Sequence, residues 1–513
     1  ELPDNPLRFT ALPNAVDKDG IWDTAGINSE NISMTATETI TSNERVLSAD
    51  PLVELIPAKD GKPERVGGIG EEDMVTIVLP YIHSAREGVE RLGALLEKYG
   101  TYEMNGIAFQ DLDEIWWLET IGGHHWMAKR VPDDAYVVMP NQLGIDNFDL
   151  EDAFGAKKEH MCSADLKDFI RDNHLDLSLD GSFNPRHVFG SHSDADHTYN
   201  TPRAWFMGRY LNPKTYKWDG DNADYRPDSD DIPWSFIPEK KVTVEDIKYI
   251  LSSYFQGTEY NCYGKHGDLS KKGMFRPIGI NRNSVLELTQ LRPYASEKYR
   301  AVEWIALGSN AFNAFVPFYA NIDKTPEYFA NTTDVVSTEN FYWANRLIGA
   351  LADAQYALCA SHIERYQASL AIDAFHVIHE YDKKLRDEKL SNAEAIKLQE
   401  EANEEYNRSE RGLRYQLIEG KLLADNKLET TSKEIEDFAH EYVKAQLAQY
   451  GMPLDDSSYV EGIVERVLKN REEVQRIQQQ LVFKKLIAFY KENVNLEVKK
   501  VSFDEFVKIA FPE

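Results

Sequence analysis

Three polar residues occupy positions in the sequence that could serve in catalysis or binding. Asn141 follows Pro140 at the end of a predicted strand, where its amide could donate to a developing oxyanion or simply form a turn. Glu38 is a lone charge in a β-branched run over residues 35–41, which indicates either an exposed strand face or a functional one. Arg282 could be a surface charge or a clamp for a carboxylate. The residues alone leave each of these alternatives open.

Histidine-rich and glycine-rich motifs invite metal, catalytic or phosphate-binding interpretations. The run His192-Ser-Asp-Ala-Asp-His197 has a spacing that suits neither a helix face nor a standard zinc loop, which favours a solvated polar loop over a metal site. His124 and His125 would point to opposite faces of a strand, which favours a core or interface histidine over direct catalysis. Residues 67–70, Gly-Gly-Ile-Gly, follow no clear strand and are expected to form a turn. The sequence therefore predicts no metal and no cofactor.

The three cysteines, Cys162, Cys262 and Cys359, lack the neighbours that activate a thiol. A nucleophilic cysteine needs an adjacent base or a lowered pKa, and the local sequence offers neither. Each is therefore predicted to be structural. An odd count cannot build a disulfide framework and is typical of a reducing compartment.

The composition excludes several classes of protein. The 513 residues include 57 Lys and Arg against 86 Asp and Glu, and a net charge of −29 repels phosphate backbones and makes nucleic-acid binding improbable. A hydrophobic fraction of 42% with 11% aromatic residues indicates a packed globular protein, and no apolar run is long enough to span a membrane. The chain begins at Glu1 with neither a signal peptide nor an initiator methionine, which predicts a fragment or a processed piece.

The chain up to about residue 335 is predicted to be rich in strands, with helices among them. A helix is expected from a capping box at Ser84 to a stop at Gly100, and four strand-like runs follow between residues 106 and 139 with hairpin-type turns between them. A helix followed by such a meander predicts α+β layers. Residues 180–240, rich in Asp, Asn, Gly and Pro, are expected to form a long irregular segment.

The pattern from residue 336 is helical almost to the end, with capping boxes at Ser391 and Thr431. We therefore predict two regions, a sheet-containing core over residues 1–335 and a helical region over 336–513 packed on it. The apolar stripes of these helices suit core or subunit contacts, so a homo-oligomer is expected.

Several long motifs occur in a specific order along the chain, and together they resemble the PepD-like dipeptidases of lactic acid bacteria. The motifs are Thr35-Ala-Thr-Glu-Thr-Ile-Thr-Ser-Asn-Glu44, Trp116-Trp-Leu-Glu-Thr-Ile-Gly-Gly-His-His-Trp126, Met139-Pro-Asn-Gln-Leu-Gly-Ile145 and Phe312-Asn-Ala-Phe-Val-Pro-Phe-Tyr319. The resemblance covers most of the chain and is least sharp in the C-terminal helices. It implies a cytoplasmic N-terminal nucleophile hydrolase with an αββα sandwich, related to penicillin and bile-salt amidohydrolases.

The resemblance also implies a mechanism. The family's nucleophile is a cysteine at the mature N-terminus, whose thiol attacks the scissile carbonyl while its own α-amino group acts as the base. Glu1 cannot play that role, and the three cysteines lie in the wrong context. The nucleophile and the first strands of the family are therefore expected in a segment absent from this chain.

Three site assignments follow from the resemblance. Asn141 matches the strand-end asparagine that helps to bind the oxyanion. Glu38, with its neighbour Thr39, falls where related amidohydrolases place an active-site residue, and Arg282 is the weaker choice for the arginine near the nucleophile. A dipeptide carries a free α-ammonium and a free α-carboxylate, so one acid and one arginine would suffice to recognise it.

The leading hypothesis is thus a dipeptidase that acts through a thioester, with dipeptides as its substrates. One alternative keeps the fold but acts on other acyl amides, as an amidase or acyltransferase. A second alternative is a non-catalytic fragment or scaffold that binds a partner.

Overall fold

The computed structural model describes residues 2–14, 16, 21–35, 38–264, 269–330, 332–387, 389–428, 430–449, 457–493 and 502. The chain divides into two compact units, Glu1–Glu410 and Arg411–Glu513. Within the described ranges, no helix is both long and apolar enough to cross a membrane.

Twelve strands are present among the described residues, and every pairing between them is antiparallel. The larger sheet has the order β1-β2-β4-β5-β6-β8 with β3 also on β4, a second sheet has the order β10-β11-β12, and β7 pairs with β9. The strands are β1 (Ala25–Ile27), β2 (Ser33–Thr35), β3 (Glu38–Thr39), β4 (Asn105–Gln110), β5 (Ile115–Thr120), β6 (Trp126–Arg130), β7 (Tyr136–Val137), β8 (His160–Cys162), β9 (Ser235–Phe236), β10 (Val285–Leu291), β11 (Ala301–Leu307) and β12 (Val316–Tyr319).

Helices lie between many of these strands along the chain and make up most of the described residues after residue 336. The helices that begin in the first unit are α1 (Glu44–Ala49), α2 (Glu71–Val78), α3 (Ala85–Tyr99), α4 (Leu150–Phe154), α5 (Leu166–Asp172), α6 (Pro185–Phe189), α7 (Asp196–Tyr199), α8 (Thr201–Leu211), α9 (Val244–Leu251), α10 (Glu327–Ala330), α11 (Phe341–Ala354), α12 (Tyr356–Leu385) and α13 (Asn392–Asp425). The boundary between the two units falls within α13. The fold is therefore α+β, as predicted.

Helix α3 has the bounds that its local sequence predicts. The Ser84 side chain accepts a hydrogen bond from the backbone of Glu87, and the helix ends at Gly100, whose φ of 71° few other residues adopt. The buried side of α3 packs on β4, β5 and β6. A side chain at Gly93 would overlap the ring of Trp126, so the helix lies unusually close to the sheet.

The predicted meander forms, but with a different fourth strand. The runs after α3 become β4, β5 and β6, which pair in sequence order. The fourth run forms only Tyr136–Val137 and pairs with Ser235–Phe236 of β9, while His160–Cys162 takes the open edge of β6. The expectation of three consecutive hairpins from these four runs was therefore wrong at its last step, because distant segments pair with the fourth run and with the free edge of β6.

The second sheet lies against the first sheet and against two long helices. Strand β1 contacts β10 and β11, with Ile27, Leu291 and Ala301 in one buried cluster. On the same small sheet, α11 contacts β11 and α12 contacts β12.

The second unit contains the helices α14 (Ser432–Gln449), α15 (Ser457–Lys469) and α16 (Arg471–Asn493). They share a core that includes Ala439, Val464 and Ile477. The capping box at Thr431 is confirmed, because Thr431 and Glu434 exchange side-chain and backbone hydrogen bonds, and a similar exchange joins Ser391 and Glu394. The division at residues 335 and 336 stays a prediction.

Candidate functional site

Asn141 lies in the turn that follows β7, with its amide held from both ends. Its Nδ2 donates to the Thr39 carbonyl oxygen at 2.8 Å, and its Oδ1 accepts from the Arg203 guanidinium at 2.6 Å. Because a guanidinium only donates and a carbonyl only accepts, these partners fix which end of the amide is nitrogen. The second Nδ2 hydrogen has no acceptor among the described residues. This N–H is available to an incoming oxygen atom.

Arg203 is the arginine that the structure brings to Asn141. It is 6% exposed and lies in the first turns of α8. Besides Asn141, its guanidinium donates to the Asn200 Oδ1 at 2.8 Å and to the Tyr199 carbonyl at 2.7 Å, and it lies 4.9 Å from the centre of the Tyr199 ring. Several hydrogen bonds thus hold a buried positive charge against the oxygen of the Asn141 amide.

The segment before Arg203 is ordered by a buried carboxylate. Asp196 accepts hydrogen bonds from Ser191, Ser193 and Asn200. Burial opposes ionisation of Asp196, but these hydrogen bonds outweigh it and lower its pKa. Asp196 therefore holds Asn200 in place beneath Arg203.

Sequence reasoning missed Arg203 because residues 180–240 were expected to be irregular. The structure has α6, α7, α8 and β9 there. Two local signals point to helix starts in that stretch, since Asn184 caps α6 ahead of Pro185 and α8 carries Pro202 in its first turn. The expectation of a long irregular segment was therefore wrong for residues 185–211, whereas residues 212–234 contain neither helix nor strand.

Glu38 and Thr39 form β3, at the edge of the Asn141 turn. Glu38 pairs with Gly106 and Thr39 with Asn105 on β4. The Glu38 side chain lies outside the described part of the chain. Thr39 reaches Asn141 through its backbone carbonyl, while its side chain is exposed. The roles of both residues in substrate binding stay predictions.

Arg282 lies apart from the contacts just described. It is exposed in the turn before β10, and its carbonyl oxygen accepts from Arg346 at 3.0 Å. No contact described for the chain joins Arg282 to Asn141 or Arg203. Its role near a nucleophile stays a prediction.

The histidine-rich run is not a solvated loop throughout, because Asp196 and His197 lie in α7 and the Asp196 side chain is buried. His197 Nε2 lies 3.0 Å from the Asp230 carboxylate, and His192 Nδ1 lies 3.8 Å from the same oxygen. Among the residues that the structure describes, no group of three or more His, Cys, Asp or Glu side chains is arranged to hold a metal ion.

His124 and His125 both face Asp50, so the expectation that they point to opposite faces was wrong. Strand β6 begins only at Trp126, and strand alternation does not extend to the turn before it. The Asp50 carboxylate accepts from both imidazole rings, at 3.1 and 2.7 Å, and from both backbone N–H groups. Burial opposes ionisation, but these hydrogen bonds hold the pKa of Asp50 well below its usual range.

The cysteines do not form a nucleophilic centre. Cys162 is buried, and burial raises its pKa to about 12. Burial also raises the pKa of Cys262. A thiol with a raised pKa is scarcely ionised at neutral pH, and only the thiolate attacks carbonyls. Cys359 is partly buried against a small apolar cluster of Ala311, Phe312 and Ala352.

A cavity of about 580 Å³ lies elsewhere in the first unit, between α9, residues 311–315 and α12. Lys248 lines it and donates to the Ser252 hydroxyl and the Asn310 carbonyl, and burial lowers the pKa of Lys248 to about 7. None of the predicted site residues lines this cavity. It is therefore separate from the Asn141 turn.

Comparison with known proteins gives two matches to family models. The model described as "Peptidase family C69" matches residues 1–369, and the model described as "Probable trigger factor, C-terminal domain" matches residues 376–510. The first match spans the sheets, the Asn141 turn and Arg203.

Individual relatives agree with the first match. The chain is 58% identical over 407 residues to a "Dipeptidase" of Bifidobacterium longum, which is 79% of this chain and 76% of that protein. It is 52% identical over 386 residues to a "Probable dipeptidase A" of Streptococcus pyogenes, covering 75% and 77% of the two chains. It is 45% identical over 386 residues to a "Probable dipeptidase B" of Lactococcus lactis, covering 75% and 76%. On the extent and identity of these matches, the chain belongs to peptidase family C69.

Proposed function

We propose that the protein is a cysteine-type peptidase that hydrolyses dipeptides. The observation that carries this proposal is the fixed amide of Asn141, which offers one N–H beside a buried guanidinium. The family and the dipeptidase names of its relatives give the substrate class.

The proposed reaction is acyl transfer through a thioester. A cysteine thiolate attacks the peptide carbonyl, and the carbonyl oxygen gains negative charge as the tetrahedral intermediate forms. Asn141 Nδ2 donates to that oxygen, and the Arg203 charge on Oδ1 polarises the amide and makes its N–H a stronger donor. The cysteine's own α-amino group, which took the thiol proton, gives it to the leaving nitrogen, the C–N bond breaks and the amine product leaves. Water then hydrolyses the thioester. The location of the nucleophile in a segment absent from this chain stays a prediction.

Recognition of the substrate termini is also part of the proposal. Glu38 and Thr39 would bind the α-ammonium, and Arg282 remains the weaker candidate for an arginine at the site. The proximity of the Thr39 carbonyl to Asn141 supports a role for β3 beside the reacting carbonyl. Cytoplasmic location and self-association stay predictions.

We also propose the αββα sandwich as the arrangement of the first unit. The contacts of α3 with the large sheet, of β1 with β10 and β11, and of α11 and α12 with the small sheet support this order of layers.

A substrate panel tests the proposed activity in the full-length enzyme. We expect hydrolysis of dipeptides with free termini, and a fall in kcat/KM of about 10- to 100-fold for the same dipeptides acetylated at the amine, because one charged hydrogen bond is lost. Matched tripeptides and penicillin-type amides complete the panel. Equal turnover of acetylated and free substrates would favour an amidase or acyltransferase, and no turnover of any would favour a non-catalytic scaffold.

The contribution of Arg203 can be measured with Arg203→Lys. Lysine keeps the positive charge but cannot donate in the guanidinium's fixed geometry to Asn141, Asn200 and Tyr199 together. We expect kcat for a dipeptide to fall about 10- to 100-fold. The matched control is Arg209→Lys on the same helix, where the side chain pairs with the exposed Asp219 and kcat should hold. Wild-type kcat in a folded Arg203→Lys enzyme would rule out this role.

A further inference from the structure

Glu119 is a fully buried acid on β5, and its carboxyl reaches the segment that carries Asn141. One oxygen, Oε1, accepts from the Gly144 N–H at 2.7 Å, from the Ile145 N–H at 3.3 Å and from the Trp117 indole at 3.0 Å. A single strand residue therefore fixes the backbone three and four residues beyond Asn141.

The sheet makes room for this carboxyl. Glu119 pairs with Gly106 on β4, which in turn pairs with Glu38 on β3, so the three lie in one row across the strands. A Cβ at Gly106 would overlap the Trp117 ring, so the indole lies directly over the glycine. This packing places the indole N–H against the Glu119 carboxyl. The register thus aims Glu119 towards the Asn141 turn.

Arg186, whose charge is opposite to that of an ionised Glu119, binds the same turn through the Gly144 carbonyl. Its guanidinium donates twice to the Gly144 carbonyl, at 2.6 and 3.2 Å, and also to the carbonyls of Asp230 and Ile232. The Gly144 N–H therefore donates to a carboxyl oxygen, and the Gly144 carbonyl accepts from a guanidinium. A Cβ at this glycine would overlap the end of the Met139 side chain, which would have to move to admit it.

We propose that Glu119 is a positioning residue, whose carboxyl holds the Gly144 and Ile145 N–H groups so that the turn presents Asn141 to the reacting carbonyl. The inference rests on the proposed function, in which Asn141 donates to the oxyanion. Glu119 touches neither substrate nor nucleophile in this scheme and acts through the backbone of residues 139–145.

The hydrogen-bond acceptor matters here more than the charge. Burial is the largest influence on Glu119 and raises its pKa to about 7, against the opposing effect of the donors and of Arg186. The second oxygen, Oε2, is buried and accepts no hydrogen bond from the described residues. A neutral amide oxygen in place of Oε1 would keep all three donors satisfied.

Two substitutions in the full-length enzyme distinguish the loss of the Glu119 hydrogen-bond acceptor from a change in side-chain size. Glu119→Gln keeps the acceptor, whereas Glu119→Met keeps the length of the side chain and leaves the Gly144 and Ile145 N–H groups without a partner. We expect Glu119→Gln to stay within about threefold of wild-type kcat, less than the tenfold that 1.4 kcal/mol represents. For Glu119→Met we expect a fall in kcat of about 10- to 100-fold with little change in KM, because misplacing a group by about 1 Å has an effect of this size.

Amide hydrogen exchange gives a readout that does not depend on activity. Exchange at Gly144 and Ile145 should be about 10-fold or more faster in Glu119→Met than in wild-type or Glu119→Gln, because an N–H without an acceptor opens readily. The matched control is Asp152→Leu, since Asp152 also accepts three backbone N–H groups, from residues 158, 159 and 160, in a different loop. That variant should speed exchange in its own loop and leave kcat unchanged.

The outcomes are distinguishable from failure of the proposed function. If the wild-type enzyme hydrolyses no dipeptide, the function fails, yet faster exchange at residues 144 and 145 in Glu119→Met alone still supports the positioning role. A folded Glu119→Met enzyme with wild-type exchange or wild-type kcat overturns it. Equal loss of kcat in Glu119→Gln and Glu119→Met also overturns the proposal, because a hydrogen-bond acceptor at residue 119 would then not be enough to position Asn141.

Discussion

Replacing Asn141 by alanine is expected to lower kcat for a dipeptide by about 10²- to 10³-fold, the usual effect of removing one oxyanion donor. The loss should appear in kcat more than in KM, because the oxyanion exists in the transition state and not in the bound substrate. Arg203 strengthens the expectation, since its buried charge polarises the Asn141 amide in the wild-type enzyme. Steady-state kinetics of the full-length enzyme with one dipeptide measure both constants.

A control for the Asn141 experiment must remove another asparagine whose side chain also donates to a backbone carbonyl. Asn173 donates to the Phe169 carbonyl at 2.9 Å at the end of α5, away from the Asn141 turn. Asn173→Ala should leave kcat unchanged. Wild-type turnover in a folded Asn141→Ala enzyme would remove Asn141 from the oxyanion site.

Asp50→Ala is expected to lower the free energy of unfolding by about 3 to 5 kcal/mol at pH 7, because four donors of His124 and His125 lose a buried acceptor. Asp50 is 6% exposed, so water cannot replace the carboxylate fully. Denaturant unfolding of the wild-type and variant chains measures the difference. The exposed Asp228 provides a control, since Asp228→Ala should change stability by less than about 0.5 kcal/mol.

The effect of Asp50 should depend on pH in a defined direction. Its pKa is lower in the folded protein than the ~3.9 of an unfolded aspartate. A depressed folded-state pKa stabilises the fold above the unfolded pKa, and that stabilisation is lost as pH falls through the folded-state value. The gap between wild-type and Asp50→Ala should therefore be full at neutral pH and shrink below about pH 4. Equal stability of the two chains at pH 7 would contradict this role of Asp50.

Local signals in the sequence were sufficient for individual elements. Ser84 and Gly100 bound α3 because a cap acts within one helical turn and a positive φ favours glycine. The place of Asn141 after a strand left both a turn and an oxyanion donor open, and only the family resemblance made it a site residue, an assignment that stays a prediction.

Contacts between distant residues could not be predicted in the same way. Arg203 meets Asn141 across 62 residues, and Asp50 meets His125 across 75. Neither pairing leaves a periodic pattern in the sequence, since each depends on how the sheet and helices pack. The orientation of the histidine pair was predicted wrongly for that reason, because strand alternation was the available rule and the shared partner Asp50 lay far upstream.

The close approach of α3 to the large sheet limits which positions of this helix tolerate amino-acid substitution. A methyl group at Gly93 would overlap the Trp126 ring, and one at Gly88 would overlap the ring of Phe109. Phe109 is fully buried and Trp126 nearly so, and neither ring can move aside without opening the core. Mutational drift along this helix is therefore confined to its solvent side, at positions such as Glu90 and Lys98, while the two glycines admit no larger residue.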